Sequence, residues 1–193
     1  MHNEKTDAEL VSLYLNDEDP SALQTLISRY LKPVYNFVYH FVGNVHDAED
    51  ITQEVFVKVW KNLKKYRLEQ SFKTWIFTIA KNTSIDWLRK VRHIAFSEFD
   101  SDGKENFIEN TTADEEPLAE ELAILDEDRK TVSRAMEKLG TADQIILVLR
   151  YSEDLTFKEI GEILKKPLDT VKSQHRRALT KLRTILKNNG SQY

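Results

Sequence analysis

The sequence predicts an all-α protein: two small helical domains, residues 1–95 and 117–193, joined by an acidic linker at 96–116. Three observations predict it. Apolar residues recur at helical spacing through most of the 193 residues. Gly and Pro number only 5 and 4, as suits helices with short connections. From Phe96 to Glu116 the periodicity gives way to Ser, Asp, Glu, Asn and Thr, the composition of a connector.

Capping chemistry sets the order of the elements. Thr6 and Glu9 have capping-box spacing and open a first helix with Leu10, Leu13 and Tyr14 inside. Asp19 caps a second, with Pro20 at its first position. Leu23, Leu26, Ile27, Tyr30 and Leu31 keep its period, Pro33 is expected to kink or restart it, and Gly43-Asn44 stops it. The stretch His46–Trp60 follows, with Asp47 expected as N-cap and carboxylates Glu49 and Asp50 in the first turn, where the helix dipole favours them. Ala48, Ile51, Val55, Phe56, Val59 and Leu63 share its core arc. Its other face mixes Val57 and Trp60 with Glu49, Asp50, Gln53 and Glu54. Two readings of that face stand at this point: stray apolar residues on an ordinary amphipathic helix, or a docking surface for another protein.

A further helix is expected from about Ser71 to His93, after the connection KKYRLEQ. Lys73, Lys81, Arg89, Lys90 and Arg92 give it a basic side, with Tyr66, Phe77 and Trp87 nearby. Cations that track phosphates beside rings that stack bases suit single-stranded nucleic acid; the alternative is aromatics in the core and cations in solvent. Beyond the linker, a helix after Pro117 leads to Leu139-Gly140, and another spans Thr141 to about Tyr151. Thr156 and Glu159 form a second capping box for FKEIGEILKK, Pro167 interrupts, and a long basic helix starts near Leu168. Its stripe of Leu168, Val171, Ala178, Leu179, Leu182 and Ile185 opposes Lys172, Ser173, Arg176, Arg177, Thr180 and Arg183. A short helix, a tight turn and a basic amphipathic helix make a helix-turn-helix, whose second helix enters a DNA major groove.

Charge supports the division. From Asp100 to Asp128 twelve Asp and Glu face Lys104 alone, a net −11 within a chain of −4, so the other residues carry +7. From Thr156 to Lys187 nine Lys and Arg face Glu159, Glu162 and Asp169, a net +6 that calls for an anionic partner. With no Cys, disulfides and thiolate metal sites are excluded, and a reducing cytoplasm is the expected setting. The polar start MHNEKTDAEL does not read as a signal peptide. A helical metal site on His46, Asp50 and Glu54 would want a second carboxylate helix with Glu-x-x-His, which the sequence lacks. No metal, cofactor, small-molecule substrate or catalysis is expected. A regulator acting through residues 156–187 alone would leave the Val57/Trp60 face and the 66–92 cluster without a purpose.

With these residues in view, the chain resembles the extracytoplasmic-function (ECF) group of bacterial sigma-70-type RNA polymerase sigma factors. DAEDITQEVFVKVW is similar to the family's region 2.2, SFKTWIFTIAKNTSIDWLRKVRH to regions 2.3 and 2.4, and DLTFKEIGEIL with DTVKSQHRRALTKLR to region 4. The resemblance implies a transcription initiation factor that docks on the β′ clamp coiled coil and the β flap of core polymerase. It implies Asp50, Gln53 and Glu54 as polar clamp contacts and Phe56, Val57 and Trp60 as apolar ones. For the −10 strand it points to Tyr66, Trp75, Lys81, Asn82, Arg89 and Arg92. For the −35 duplex it points to Lys172, Ser173, Gln174, Arg176 and Arg177. It further implies a partner anti-sigma factor, often membrane-bound, holding a cytoplasmic protein inactive. Three departures stand out: Leu139-Gly140 in place of Leu-Pro, Lys165 and Asp169 where Gly is common, and Gln174-His175 in place of more typical residues.

Overall fold

The computed structural model describes residues 5–98 and 131–190, with side chains at 5–91 and 131–188. The acidic stretch and the helix expected after Pro117 lie outside the described residues, except for a helical segment at 131–137. The described residues contain helices and turns and no strand.

Helix α1 spans Asp7–Asn16 and α2 Pro20–Val42; α3 spans Val45–Asn62 and α4 Phe72–Glu98. At α1 and α2 the expected caps are present. Thr6 and Glu9 close the first capping box, Asp19 accepts from the Ser21 amide, and Gly43 ends α2 in the left-handed conformation at φ 66°. Pro33 stays inside α2 instead of breaking it. Buried Tyr30, Val34 and Phe37 continue one face across it, so packing on both sides offsets the hydrogen bond that Pro removes. α3 begins earlier than expected: Asn44, not Asp47, is its N-cap, and the Asn44 side chain accepts from the Asp47 amide. That leaves Asp47 as the first-turn carboxylate. A 3-10 turn, Leu63–Lys65, leads out of α3. α4 runs to Glu98, three residues into the expected linker, because no Gly or Pro intervenes before Gly103.

In the second half, α5 spans Thr141–Leu147 and opens into a π-helical turn, Val148–Ser152, closed by Glu153 N–H donating to the Val148 carbonyl at 3.1 Å. α6 spans Phe157–Leu164 behind the second capping box, and α7 spans Leu168–Gly190. Between α6 and α7, Lys165 takes φ 53°, the left-handed conformation. Here a Lys takes a conformation that Gly adopts at less cost, with Pro167 supplying the break. Gly161 is needed for a different reason: a Cβ there would lie 2.9 Å from the Lys166 carbonyl oxygen, so the turn folds back directly over it.

α1 to α4 bury Val11, Leu26, Val34, Phe37, Ile51, Leu63, Ile76 and Phe77. Ile160, Ile163, Leu149 and Val171 of the second half join the same apolar cluster, and a smaller one gathers Leu139, Leu147 and Ala178. α6 packs on α4, and α5 on α2. Among the described residues the two halves therefore share a core.

Candidate nucleic-acid and docking interfaces

The first surface is the outer face of α3. Asp50, Gln53 and Glu54 are exposed, and Val57 and Trp60 are 46% and 56% exposed among them. Trp60 is also held: its indole Nε1–H donates to the Tyr14 hydroxyl at 3.0 Å, so α1 fixes the ring's orientation. α1 is itself pinned through Asp7, which takes an ion pair from Arg29 and a hydrogen bond from the Tyr30 hydroxyl. Glu54 is tied to Lys58, 2.8 Å away one turn along, and Lys58 also reaches the Thr83 hydroxyl of α4 at 3.1 Å. Phe56 turns to the core side and is half-buried. A large exposed apolar ring fixed by a hydrogen bond, with exposed carboxylates further along the same helix, is chemistry suited to a protein contact.

The second surface is on and beside α4. The connection before the helix carries an aromatic group: Tyr66 lies 5.1 Å from Trp75 and 5.5 Å from Phe72, centroid to centroid, and Phe72 lies 5.3 Å from Tyr30. Tyr66 is 8% exposed and its hydroxyl donates to the Gln70 carbonyl; burial raises its pKa. Trp75 is half-buried, leaving part of its ring accessible beside Tyr66. Asn82 and Arg89 are exposed, and Arg89 sits 3.7 Å from Asp86. The Arg92 side chain lies outside the described residues.

Lys81 departs from the expectation of an exposed phosphate contact. It is 7% exposed, and burial lowers its pKa, with nearby Lys165 adding to the effect. Phe77, expected to be available to bases, is wholly buried and stacks edge-on against Phe37 at 5.1 Å. In both cases the face of the helix seen in isolation is not the face the assembled chain exposes, because α6 and α2 cover it.

The third surface is the helix-turn-helix. Lys172, Ser173, Arg176 and Arg177 stand exposed along one side of α7. Gln174 requires a correction: it is 9% exposed and accepts from Lys166 Nζ at 2.7 Å, so it braces the turn rather than facing outward. Its position two residues from Lys172 puts it on the opposite side of the helix, beside buried Val171 and Ala178. Asp143 of α5 holds Lys181 at 2.6 Å and orients α7. His175, which sequence reading left without a role, lies at the margin of this face. Its Nε2 is 3.2 Å from the Tyr151 hydroxyl and its ring 4.9 Å from Phe157; burial and then Arg150 lower its pKa. Tyr14, Lys58 and Tyr151 likewise gave no signal in the sequence, since each acts only through a residue distant in the chain.

Among the described residues no group of His, Asp and Glu is arranged to hold a metal ion, and no helix is long and apolar enough to cross a membrane.

Comparison with known proteins assigns these surfaces to a family. Residues 26–94 match the family model Sigma-70 region 2, and residues 135–184 match Sigma-70, region 4. The chain is 31% identical over 171 residues to the ECF RNA polymerase sigma factor SigW of Bacillus subtilis, covering 88% of this chain and 91% of the relative. It is also 31% identical over 179 residues to the ECF RNA polymerase sigma-E factor of Escherichia coli K12, covering 92% and 93%. Among solved structures, CnrH in complex with the cytosolic domain of CnrY matches with a TM-score of 0.65 at 20% identity over 94% of this chain and 97% of that one. The sigma factor RpoE of Bartonella quintana, in complex with the anti-sigma factor NepR, also matches at 0.65, with 21% identity over 85% and 96%. These two likenesses concern the fold. With both region models matched in order and relatives aligned over nearly their full length, the chain belongs to the ECF sigma factors of the sigma-70 family.

Proposed function

We propose that this chain is a promoter-specificity subunit of RNA polymerase that performs no chemistry itself. In this reading α3 docks core polymerase on its clamp through Asp50, Gln53, Glu54, Val57 and Trp60, with Phe56 supporting them from the core side. α4 and the connection before it take the non-template strand of the −10 element, Tyr66 and Trp75 offering rings and Asn82, Arg89 and Arg92 polar and cationic contacts. Unstacking a base costs roughly a few kcal/mol, which stacking and edge hydrogen bonds offset. α7 reads the −35 duplex through Lys172, Ser173, Arg176 and Arg177, with Gln174 holding the turn and the β flap receiving the second domain. The two domains are those expected at 1–95 and 117–193, the first extended to the end of α4 at Glu98, and the acidic stretch between them spaces the two readers.

The observation that carries the reading is the exposed Trp60, anchored by Tyr14 on the same helix as exposed Asp50, Gln53 and Glu54, in a chain that also carries a helix-turn-helix with a basic outer face. A stand-alone DNA binder would use only the second. The protein is cytoplasmic in this account, and an anti-sigma factor, membrane-bound in many systems of this kind, would hold it inactive.

Run-off transcription with core polymerase on genomic fragments, followed by start-site mapping, tests it. Defined start sites sharing −10 and −35 elements are expected only when the chain is added. Tight binding of the chain to a duplex operator, with no change in initiation by core, would favour a free-standing regulator instead.

A further inference from the structure

Beside the recognition face of α7 stands a row of side chains to which no contact has yet been assigned. His175 lies about 60° around the α7 axis from exposed Lys172, toward the buried side marked by Val171 and Ala178. Its Nε2 is 3.2 Å from the Tyr151 hydroxyl, and the two ring centroids are 5.6 Å apart. Phe157, the first residue of α6, meets the same imidazole edge-on at 4.9 Å. The Arg150 guanidinium lies over Phe157 at 5.2 Å and is held there by donating to the Leu155 carbonyl at 2.9 Å. His175 and Phe157 are half-buried, whereas Tyr151 is 59% exposed.

An exposed Tyr is ordinary on its own; its setting is not. Tyr151 belongs to the π-helical turn Val148–Ser152, an uncommon backbone form that is frequent at functional sites. Its single polar side-chain atom is tied to a residue of the helix that carries the basic outer face. Arg150 precedes it in the chain, and Lys172 and Arg176 flank His175 on α7. Glu153, two residues on, is buried and paired with Lys73 at 3.3 Å. In a helix-turn-helix the second helix enters the major groove while the first crosses the backbone. A hydroxyl beside the start of α6 and the margin of α7 therefore faces the strand that borders the groove, not the base edges within it.

We propose that Tyr151 donates to a backbone phosphate at the edge of the −35 duplex, and that His175 is the residue that positions it. This rests on α7 reading that duplex. The imidazole Nε2–H donates to the phenol oxygen, which leaves the Tyr151 O–H free to donate to a phosphate oxygen. If the O–H were instead directed at Nε2, no donor would remain for the strand, so the bound phosphate selects the first arrangement. Phe157 packs against the imidazole and holds its plane. Phosphate contacts fix register and orientation without reading sequence. The pair thus sets how α7 sits in the groove, while Lys172, Ser173, Arg176 and Arg177 meet the groove itself.

The test uses the full chain with core polymerase on a fluorescent promoter fragment taken from start-site mapping. Tyr151→Phe keeps the ring and removes one hydroxyl; it should weaken promoter binding by about 3–10-fold. Because Tyr is uncharged, the slope of log affinity against log salt should stay as it was, whereas Lys172→Ala should lower it by about one. His175→Leu should cause a loss within about twofold of that of Tyr151→Phe, and the two together should cost little more than either. His175→Gln, which retains an N–H, should recover most of the affinity. Neutral methylphosphonates placed singly along both strands of the −35 element then locate the contact. At the contacted phosphate the unaltered chain should lose affinity and Tyr151→Phe should lose nothing further, an outcome that a purely structural role of the ring could not produce. A Tyr151→Phe penalty that is the same at every substituted phosphate overturns the proposal, as does a Tyr151→Phe chain that binds as tightly as the unaltered one. If Lys172→Ala weakens binding and Tyr151→Phe does not, the contact alone is refuted; if the unaltered chain gives core no affinity for the promoter, the proposed function falls and takes the contact with it.

Discussion

At the scale of single residues, what the sequence disclosed depended on how far away each side chain's partner lies. Thr6 with Glu9 and Thr156 with Glu159 could be paired by inspection, because a capping box closes within three residues. The family resemblance implies DNA contacts for Gln174 and Lys81, and both are buried by partners that only the folded chain brings near, Lys166 for one and α6 for the other. Trp60 was legible as an unexplained exposed ring, but its anchor was not, since Tyr14 is 46 residues away. Tyr14→Phe removes that acceptor and nothing else; it should weaken core-polymerase binding by roughly 2–10-fold with unchanged melting, the usual worth of one exposed hydrogen bond. A titration with labelled chain and a thermal scan check the two halves of that statement. Lys165 offers a test of the opposite sign. A Lys at φ 53° carries a strain of roughly 1 kcal/mol that Gly does not, and Lys165→Gly also removes the charge beside Lys81. The melting temperature should rise by about 2–5 °C, read by circular dichroism; a fall would show that the turn depends on the Lys side chain.

At the scale of elements, the existence of each helix was readable and its limits less so. The α3 start shifted from Asp47 to Asn44 because both are good caps, and the chain's exit from Gly43 decided between them. Pro33 read as a break, yet α2 passes through it on the strength of core contacts at either side. The helix-turn-helix was legible because its two halves are local and its capping residues unambiguous. α7 therefore carries a quantitative expectation. On a −35 duplex, Lys172→Ala and Arg177→Ala should each weaken binding, and each residue that meets a phosphate should reduce the slope of log affinity against log salt by about one. Gln174→Ala should leave that slope unchanged and instead loosen the turn, lowering the melting temperature, because its partner is Lys166. Measuring binding over a range of salt, rather than at one concentration, is what distinguishes the two roles.

At the scale of the whole molecule, the order of the parts was visible in the sequence and their mutual packing was not. Charge showed a basic second half and an acidic stretch before it; nothing in the period of α4 or α6 announced that they would meet. The meeting brings a pH dependence. Burial holds the His40 imidazole below its ordinary value, with the nearby Gln144 side chain partly opposing. Its neutral form is therefore favoured where the halves touch. Stability from this source is present above the ordinary imidazole value of about 6.5 and is lost as the pH falls through it toward the lowered value. Because the chain has no Cys, dyes placed at Lys32→Cys and Thr184→Cys report the separation of the halves specifically. Energy transfer should fall between pH 7.5 and about 5.5, and His40→Gln should flatten the change. The account as a whole depends most on α3, the element that turns two DNA-reading halves into a subunit of a larger machine. Its most direct test is an equilibrium titration of core polymerase with labelled chain, comparing the unaltered protein with Asp50→Ala/Gln53→Ala and with Trp60→Ala. Saturable binding that each variant weakens by about tenfold or more, with melting unchanged, is the predicted result; no affinity for core, or variants that bind as tightly as the unaltered chain, would contradict it.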